Sequence, residues 1–335
     1  MRNIDHTKEG TLLDPSYQTP YAVHVNLGVQ RELASDLVVS ADVVWRQFIH
    51  AFMSGIDYNR FNDPRGPVIP NCTLARRNDD QAVCSNGSIM FDTTFGRARY
   101  KGLLVRVEKR LSRGTQFLAS YALGSYVGTN GTSSAATGTG FNNDNWLEND
   151  GPLPTDRRHV LNLSGFMDLP WALHVAVSVS AYSRPPFSAW VRGVDFNGDG
   201  TRNDLLPGTT VNQFGGGLDR DDLVKLVNAY NEQYANRLTA GGQRAPLVTL
   251  PGNYAFNDSF FTEDVRLTRS VQLSRGQARL SLIAEVFNVL NTANLVGYRG
   301  DLTNRATFGQ PTDRSTQVFG SGGPRAFQFG ARVSF

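Results

Sequence analysis

The sequence predicts an all-β fold of about nine antiparallel strands that cross a membrane as part of a β-barrel. Three observations predict it. Apolar and polar residues alternate along segments of about 10 residues, the length of a bilayer-crossing strand. The connections between these segments are either very short or very long, and the final strand ends on Phe335. The expected barrel has short periplasmic turns and long extracellular loops.

The terminal strand shows the alternation without interruption. One face carries only apolar residues, namely Phe327, Phe329, Ala331, Val333 and Phe335. A chain terminus frays unless it is tied into a sheet, and a membrane barrel must pair its last strand because lipid offers no hydrogen bonds. The pattern therefore predicts a barrel-closing strand. The alternative is a buried edge strand of a soluble sheet.

The other predicted strands form hairpins. These hairpins pair residues 21–29 with 37–45, 103–107 with 117–123, 161–167 with 173–181, and 265–271 with 280–286. A polar break at 31–36 separates the first two strands, and turns such as 112–115 and 274–276 join later ones. Charged residues stand opposite the apolar faces, as a wet lumen requires; they are Arg106, Glu108, Arg110, Arg279 and Glu285.

Long polar segments join one hairpin to the next. They cover about 50–96, 128–157, 184–259 and 291–324. Compact soluble domains rarely contain such loops repeatedly. Counting back from the terminal strand places every tight turn on the periplasmic side and every long loop outside. A β-sandwich with one solvated face would show the same alternation, but it would not explain this division of the connections.

The composition and charge of the sequence exclude some binding partners and some ways of crossing a membrane. The net charge is +3 with dispersed Lys and Arg, so nucleic acid is not an expected partner. No apolar run approaches the ~20 residues of a membrane-spanning helix. The residues after Met1 are polar and form no signal peptide. An outer-membrane protein needs one, so we expect the chain to be the C-terminal part of a longer protein.

Several stretches, in this order, resemble the Oar-like branch of the TonB-dependent outer-membrane receptors. They are Asn-Leu-Gly-Val-Gln-Arg-Glu-Leu at 26–33, Asp-Arg-Arg-His-Val-Leu-Asn-Leu-Ser-Gly at 156–165 followed by Leu-Pro-Trp at 169–171, Ala-Glu-Val-Phe-Asn-Val-Leu-Asn at 284–291, Phe-Gly-Gln-Pro at 308–311, and the closing strand. At 182–187 the chain reads Tyr-Ser-Arg-Pro-Pro-Phe, where the family usually has Ser-Gly-Arg-Pro-Phe.

The resemblance implies a barrel of about 22 strands with a plugged lumen, of which residues 1–335 are the C-terminal portion. The N-terminal strands, plug, signal peptide and energy-coupling box are not in this sequence. The implied function is transport of a large substrate across the outer membrane of a Gram-negative bacterium. The implied partners are outer-membrane lipid, the barrel assembly machinery that reads the terminal strand, and the TonB energy-coupling complex, which acts through the plug.

The alternative function is that of a secreted or surface calcium-binding β-sandwich adhesin. An enzyme is not expected, because the sequence has no Gly-x-Ser-x-Gly, His-Glu-x-x-His or phosphate-binding Gly motif and its five His are scattered.

One external segment has the spacing of a calcium loop. Asp195, Asn197 and Asp199 alternate and are followed by Gly200, which curls oxygen donors around a hard cation. Leu206 stands where an EF-hand has its last ligand, and Asp204 is the candidate substitute. The alternative is a plain Asx/Gly turn. No other cofactor is expected.

Three further features lie in predicted loops. Cys72 and Cys84 are predicted to form a disulfide in an oxidising compartment, with two free thiols as the alternative. A short helix is predicted near 220–238, capped by Asp219 with Asp222 three residues on; its apolar stripe comprises Leu223, Leu226, Val227, Tyr230 and Tyr234. External aromatics are candidates for a ligand rim or an interfacial girdle; they are Trp146, Trp190 and Phe214.

Overall fold

The computed structural model describes residues 10–60, 63–73, 75, 84–85, 87–129, 142–145, 147, 150–273, 278–316 and 320–335. Its strands are β1 (Gly10–Leu13), β2 (Tyr21–Ala34), β3 (Leu37–Asp57), β4 (Ile89–Ser112), β5 (Thr115–Thr129), β6 (Asp150–Pro152), β7 (His159–Leu169), β8 (Leu173–Tyr182), β9 (Phe260–Gln272), β10 (Arg279–Phe287), β11 (Leu295–Val296), β12 (Asp313–Arg314) and β13 (Ala326–Ser334). Its helix is α1 (Arg220–Gln233). The predicted turn at 274–276 and Trp146 lie outside the described residues.

Nine long strands form one sheet in the order β13-β10-β9-β8-β7-β5-β4-β3-β2. Each long strand pairs antiparallel with its neighbours along the chain, while the short β1 runs parallel to β4 and the short β6 pairs with β5. The sheet does not close, because β2 and β13 each pair with only one of the described strands. This confirms the predicted all-β class with about nine antiparallel strands, as a partial barrel.

The sheet has one apolar face, here called the outer face, and one polar face, here called the inner face. Val177 pairs with Gly165 on one side and Val265 on the other, so apolar positions align across strands. Among the described residues no second sheet covers the outer face, where Leu27 is 76% and Val43 60% exposed. The sandwich alternative is therefore wrong, since a sandwich buries this face.

Two hairpin turns show why the chain reverses where it does. Between β4 and β5, Arg113 and Gly114 both have positive φ, at 50° and 74°. Between β7 and β8, Trp171 and Ala172 do the same, at 64° and 55°. Two central residues of positive φ define the turn whose twist matches that of the flanking strands.

Some predicted boundaries were wrong. The polar break predicted at 31–36 is mostly strand, because Ala34 pairs with Leu37 and only two residues form the turn. β3 and β4 have 21 and 24 residues, about twice the predicted ~10. At their loop ends, β3 and β4 still pair with each other beyond the end of the apolar face. The first long loop therefore begins near residue 58 rather than 50.

The main hydrophobic core lies in the loops rather than in the sheet. It joins the segment between β8 and β9 to the segment between β10 and β13, through the buried residues Phe187, Ala189, Val191, Val194, Leu206, Phe214, Leu223, Val227, Tyr230, Ala245, Val248, Tyr254, Phe256, Leu302 and Phe308. No described helix is long and apolar enough to cross a membrane. The two loop segments that share this core therefore have a hydrophobic interior of their own.

Candidate functional site: inner face and loops

The inner face is a polar wall that contains two ion pairs among the described residues. Arg266 and Glu285 face each other across β9 and β10 with a nitrogen–oxygen distance of 3.5 Å. Arg106 pairs with Glu108 at 2.8 Å along β4. These charged residues lie on the face that the alternation predicted. Charges of both signs are present on this wall, which offers a polar surface to water and polar groups.

Near the loops, the inner face carries a cluster of one cation and three aromatic rings. The guanidinium of Arg46 lies 5.8 Å from the ring centroid of Phe48 and 3.3 Å from Nδ1 of His24. The ring of Tyr126 lies 5.9 Å from Phe48 and 6.4 Å from Tyr100. These residues line a cavity of about 480 Å³ together with Asn26, Val44 and Leu104.

Two glycines make room for the ring of Tyr100. A Cβ on Gly102 would lie 2.5 Å from the Tyr100 hydroxyl, and a Cβ on Gly124 would lie 3.0 Å from its ring. Cβ atoms in proteins essentially never make a contact as short as the one calculated for Gly102, so any side chain there would displace the ring. The sequence Tyr-Lys-Gly thus fixes the orientation of one wall of the cavity.

The loops interlock through Asn143, which lies between β5 and β6. Its side-chain oxygen accepts a hydrogen bond from the backbone N–H of Asp57 at 3.0 Å, and its amide donates to the Asp57 carbonyl at 2.9 Å. Its own backbone N–H donates to Oδ2 of Asp199 at 2.5 Å. One asparagine therefore joins its own loop to the end of β3 and to the loop between β8 and β9.

A buried carboxylate strengthens the same junction. Asp63 accepts hydrogen bonds from Arg65, at 2.6 Å, and from Arg60, at 3.1 Å. Both arginines also pair with Asp144. Burial opposes ionisation of Asp63, but the hydrogen bonds from the two arginines outweigh it and lower its pKa to about 2.

The last long loop docks onto the third. The backbone of Trp190 donates to Gly300 and accepts from Leu302, both at 2.9 Å. The guanidinium of Arg192 donates to Oδ2 of Asp301 at 2.6 Å and lies 5.3 Å from the Trp190 ring centroid. All four long loops are thereby connected.

The predicted calcium loop is held by its own backbone donors. Asp195 accepts from the N–H groups of Gly198, at 2.6 Å, and Gly200, at 3.0 Å. The side chain of Asn197 accepts from the N–H of Asp199 at 3.1 Å, and Asp204 accepts from the N–H of Phe196 at 2.7 Å. The four predicted ligand residues therefore belong to one compact loop.

The carboxylates of this loop are buried close to one another. Burial raises the pKa of Asp204 to about 8, and repulsion from Asp199 and Asp195 adds to the shift. Burial also raises the pKa of Asp195. Within the described residues, no set of three or more His, Cys, Asp or Glu is arranged to hold a metal ion. Calcium binding here stays a prediction.

A disulfide and a helix complete the loops. Cys72 and Cys84 are joined, with their Cα atoms 4.9 Å apart. Helix α1 begins after Asp219, whose side chain accepts from the N–H groups of Asp221 and Asp222, while Asp222 accepts from the N–H of Asp219. This capping box satisfies N–H groups that the helix cannot. The sequence placed the helix near 220–238, and it ends at Gln233.

The predicted aromatic rim is not found as such. Phe214 is fully buried and packs 5.1 Å from Phe256, so it belongs to the loop core and to neither a rim nor a girdle. Trp190 is half-buried under Arg192. The sequence could not show that Phe214 is covered, because its partner Phe256 lies far along the chain.

The stretches that carry the family resemblance anchor loops to strand ends. Asp156 accepts from the N–H of Tyr126 at 2.8 Å, and Arg157 donates to the carbonyl of Ser183 at 2.7 Å. Asn288 is fully buried and donates to the carbonyl of Gly323 at 2.7 Å. Phe308 is fully buried in the loop core. These residues hold the architecture, which explains why they carry no information about a substrate.

The terminal strand pairs with β10 over its whole length, from Ala326 opposite Phe287 to Ser334 opposite Arg279. Its predicted apolar side chains are exposed, with Phe329 at 78% and Phe335 at 93%. Its other edge is free among the described strands.

Comparison with known proteins identifies the family to which this architecture belongs. The family described as the outer membrane beta barrel domain matches residues 4–328. The chain belongs to that family. The barrel therefore lies in the outer membrane of a Gram-negative bacterium, with its outer face toward lipid, its inner face toward the lumen, its tight turns periplasmic and its long loops extracellular.

No curated protein matches the sequence of this barrel chain. Among solved structures, it is similar to the outer membrane transporter YddB from Escherichia coli, with 12% identity over 96% of this chain and 33% of that one and a TM-score of 0.48. The ferric-catecholate import receptor Fiu from E. coli K12 shows 13% identity over 94% and 28%, with a TM-score of 0.43. The ferric enterobactin receptor PfeA from Pseudomonas aeruginosa shows 13% over 95% and 31%, with a TM-score of 0.45. The chain spans about a third of the length of these proteins.

Sequence reasoning missed two groups of residues. One is the lumen cluster around Arg46 and Tyr100, and the other is a basic series on the outer face at Arg97, Arg99 and Lys101. The signal for Tyr100 and the basic series was that the alternation continues upstream of Leu103, with charged and neutral residues in place of apolar and polar ones.

Proposed function

We propose that the chain forms part of the barrel wall of a TonB-dependent receptor of the Oar-like branch, which moves a large substrate across the outer membrane. The observation that carries the proposal is the open sheet. Its nine long strands leave one edge of β2 and one edge of β13 without a partner among the described strands.

A free edge is costly in lipid. Each unpaired N–H or C=O in the hydrocarbon region costs several kcal/mol, so membrane strands form closed barrels. Both edges must therefore be paired with further strands, and the complete barrel has more than nine. We propose that the N-terminal part of a longer polypeptide supplies them, together with a plug of the kind that fills the lumen of outer-membrane transporters with about 22 strands.

The lumen wall and the loops fit a route for a large substrate. The inner face carries paired charges such as Arg266 and Glu285, which favour polar cargo over apolar cargo. The connected loops form a folded structure above the lumen rather than independent flexible segments. The proposed partners are outer-membrane lipid, the barrel assembly machinery acting on the strand that ends at Phe335, and the TonB complex acting through the plug.

The test is the identity of the polypeptide in outer-membrane fractions. An antibody against the loop between β8 and β9 should detect a chain much larger than 36.8 kDa. That protein, purified in detergent, should bind the soluble periplasmic domain of TonB in a pull-down. A 36.8 kDa polypeptide in the outer membrane that does not bind TonB would contradict the proposal.

A further inference from the structure

Three basic residues occupy successive outward positions of β4. Lys101 is opposite Trp45 and Ser125, and Arg99 is opposite Gln47. Arg97 follows two positions further toward the loops. Side chains two residues apart lie on the same face of a strand, about 7 Å apart. All three basic residues are exposed on the outer face.

This basic series continues the lipid-facing apolar band. The next outward residues toward the periplasm are Leu103, Val105 and Val107, which carry no charge. Lys101 therefore lies where the apolar band ends on the extracellular side. The aromatic side chain of Trp45 at the same level is of the kind that marks a membrane interface.

The three outward cations differ in their partners. On the outer face Arg97 pairs with Asp150 at 3.1 Å. Neither Arg99 nor Lys101 has an ion pair in the part of the chain that the structure describes.

We propose that Arg99 and Lys101 form a binding site for the phosphate-bearing headgroup of a lipid in the extracellular leaflet. The two cations reach one headgroup from adjacent outward positions, and the acyl chains lie against Leu103 and Val105. A guanidinium binds phosphate oxygens in pairs, whereas an ammonium acts as a point charge. A soluble partner does not fit, because this surface continues into the lipid-facing band.

The test measures lipid binding to the protein purified from outer membranes in a nonionic detergent. Native mass spectrometry and titration use phosphatidic acid as the probe, diacylglycerol with the same acyl chains as the headgroup control, and inorganic phosphate as the control for a free anion. The variant is R99Q/K101Q. The matched control is Arg46→Gln, which removes a cation from the opposite face of the sheet at the same height, since Arg46 pairs with Tyr100.

We expect phosphatidic acid to bind the wild-type protein and the Arg46→Gln variant equally, and R99Q/K101Q at least tenfold more weakly. Diacylglycerol and inorganic phosphate should bind none of them tightly. Equal affinity of wild type and R99Q/K101Q would overturn the proposal, as would inorganic phosphate binding as tightly as the lipid. Should R99Q/K101Q fail to fold, the salt dependence of the wild-type affinity decides, since a charge-based site weakens as salt rises and an unchanged affinity would overturn the proposal.

Discussion

At the scale of single residues, the barrel uses small and buried side chains to fix the positions of larger ones. Gly102 and Gly124 admit the ring of Tyr100, and Asn143 joins its own loop to the end of β3 and to a second loop by hydrogen bonds from its side chain and backbone. Gly124 and Asn143 act on partners far along the chain. Changes at these positions should therefore have effects that the conservative appearance of the substitution does not suggest.

The close approach of the Tyr100 ring to Gly102 predicts that one substitution compensates for another. Gly102→Ala places a methyl group against the Tyr100 ring, and overpacking of this kind costs about 1–3 kcal/mol. We expect a lower unfolding temperature in detergent for Gly102→Ala. The double variant with Tyr100→Ala should lose no more stability than Tyr100→Ala alone. Additive losses in this cycle would show that the ring and the glycine are not coupled.

The buried carboxylate of Asp63 predicts a pH dependence. Its pKa falls from 3.8 to about 2 in the folded loops, so the unfolded state binds the proton more readily. The stabilisation is fully present above about pH 4 and is lost as the pH falls toward 2. It amounts to about 2 kcal/mol at most.

Trypsin cleavage at the loop arginines tests the ion pairs that lower this pKa, because Asp63→Asn leaves Arg60 and Arg65 with Asp144 as their acidic partner. Cleavage at neutral pH should be faster in Asp63→Asn than in wild type. Glu232→Gln, on the exposed side of α1, is the control and should behave as wild type. Equal protection of Asp63→Asn and wild type would show that the ion pairs do not hold the loop closed.

At the scale of elements, strands and turns followed from local patterns, whereas loop structure did not. The turn at Arg113 and Gly114 and the alternation of β8 depend on neighbouring residues only. The upper half of β4 was missed because Arg97, Arg99 and Lys101 take outward positions where the strand has left the hydrocarbon, so the hydrophobic signal disappears although the strand continues. The strand of β4 therefore extends further than the hydrophobic alternation that predicts it.

The loop contacts were invisible to sequence reasoning for a different reason. Asn143 contacts Asp199 across 56 residues and Asp57 across 86. Phe214 was placed at a surface because nothing near it in sequence indicates that Phe256 and Phe187 cover it. No local pattern specifies pairs this distant, so only the helix, the acidic loop and the disulfide could be located in advance.

Calcium binding is predicted for the loop formed by residues 195–204. Adding about 1 mM calcium, at or above the Kd of typical extracellular sites, should raise the unfolding temperature by an amount equivalent to about 1 kcal/mol. Calcium would offset the repulsion between the buried carboxylates of Asp195, Asp199 and Asp204. A chelator should reverse the effect, and Asp199→Asn should abolish it.

Magnesium at the same concentration is the control, because it prefers a smaller, more rigid site. An unfolding temperature that does not respond to calcium would leave the segment as a turn held by its own backbone hydrogen bonds.

At the scale of the whole molecule, the barrel consists of two structures with different solvents. The sheet exposes apolar side chains to lipid and polar ones to the lumen, so it needs no core of its own. The loops have a conventional buried core, with Leu223 and Phe308 fully covered. This division explains why the largest buried side chains of the chain lie mostly outside the membrane-spanning part.

The barrel assignment depends most directly on which way successive residues of β8 face. Spin labels on single cysteines at positions 175–180, in a chain whose Cys72 and Cys84 are replaced by serine, report collisions with oxygen in lipid and with a nickel complex in water. We predict high oxygen contact at Val175, Val177 and Val179, and high nickel contact at Ala176, Ser178 and Ser180. Contact values that repeat every three to four residues, or that show no oxygen contact at the valines, would contradict the barrel assignment.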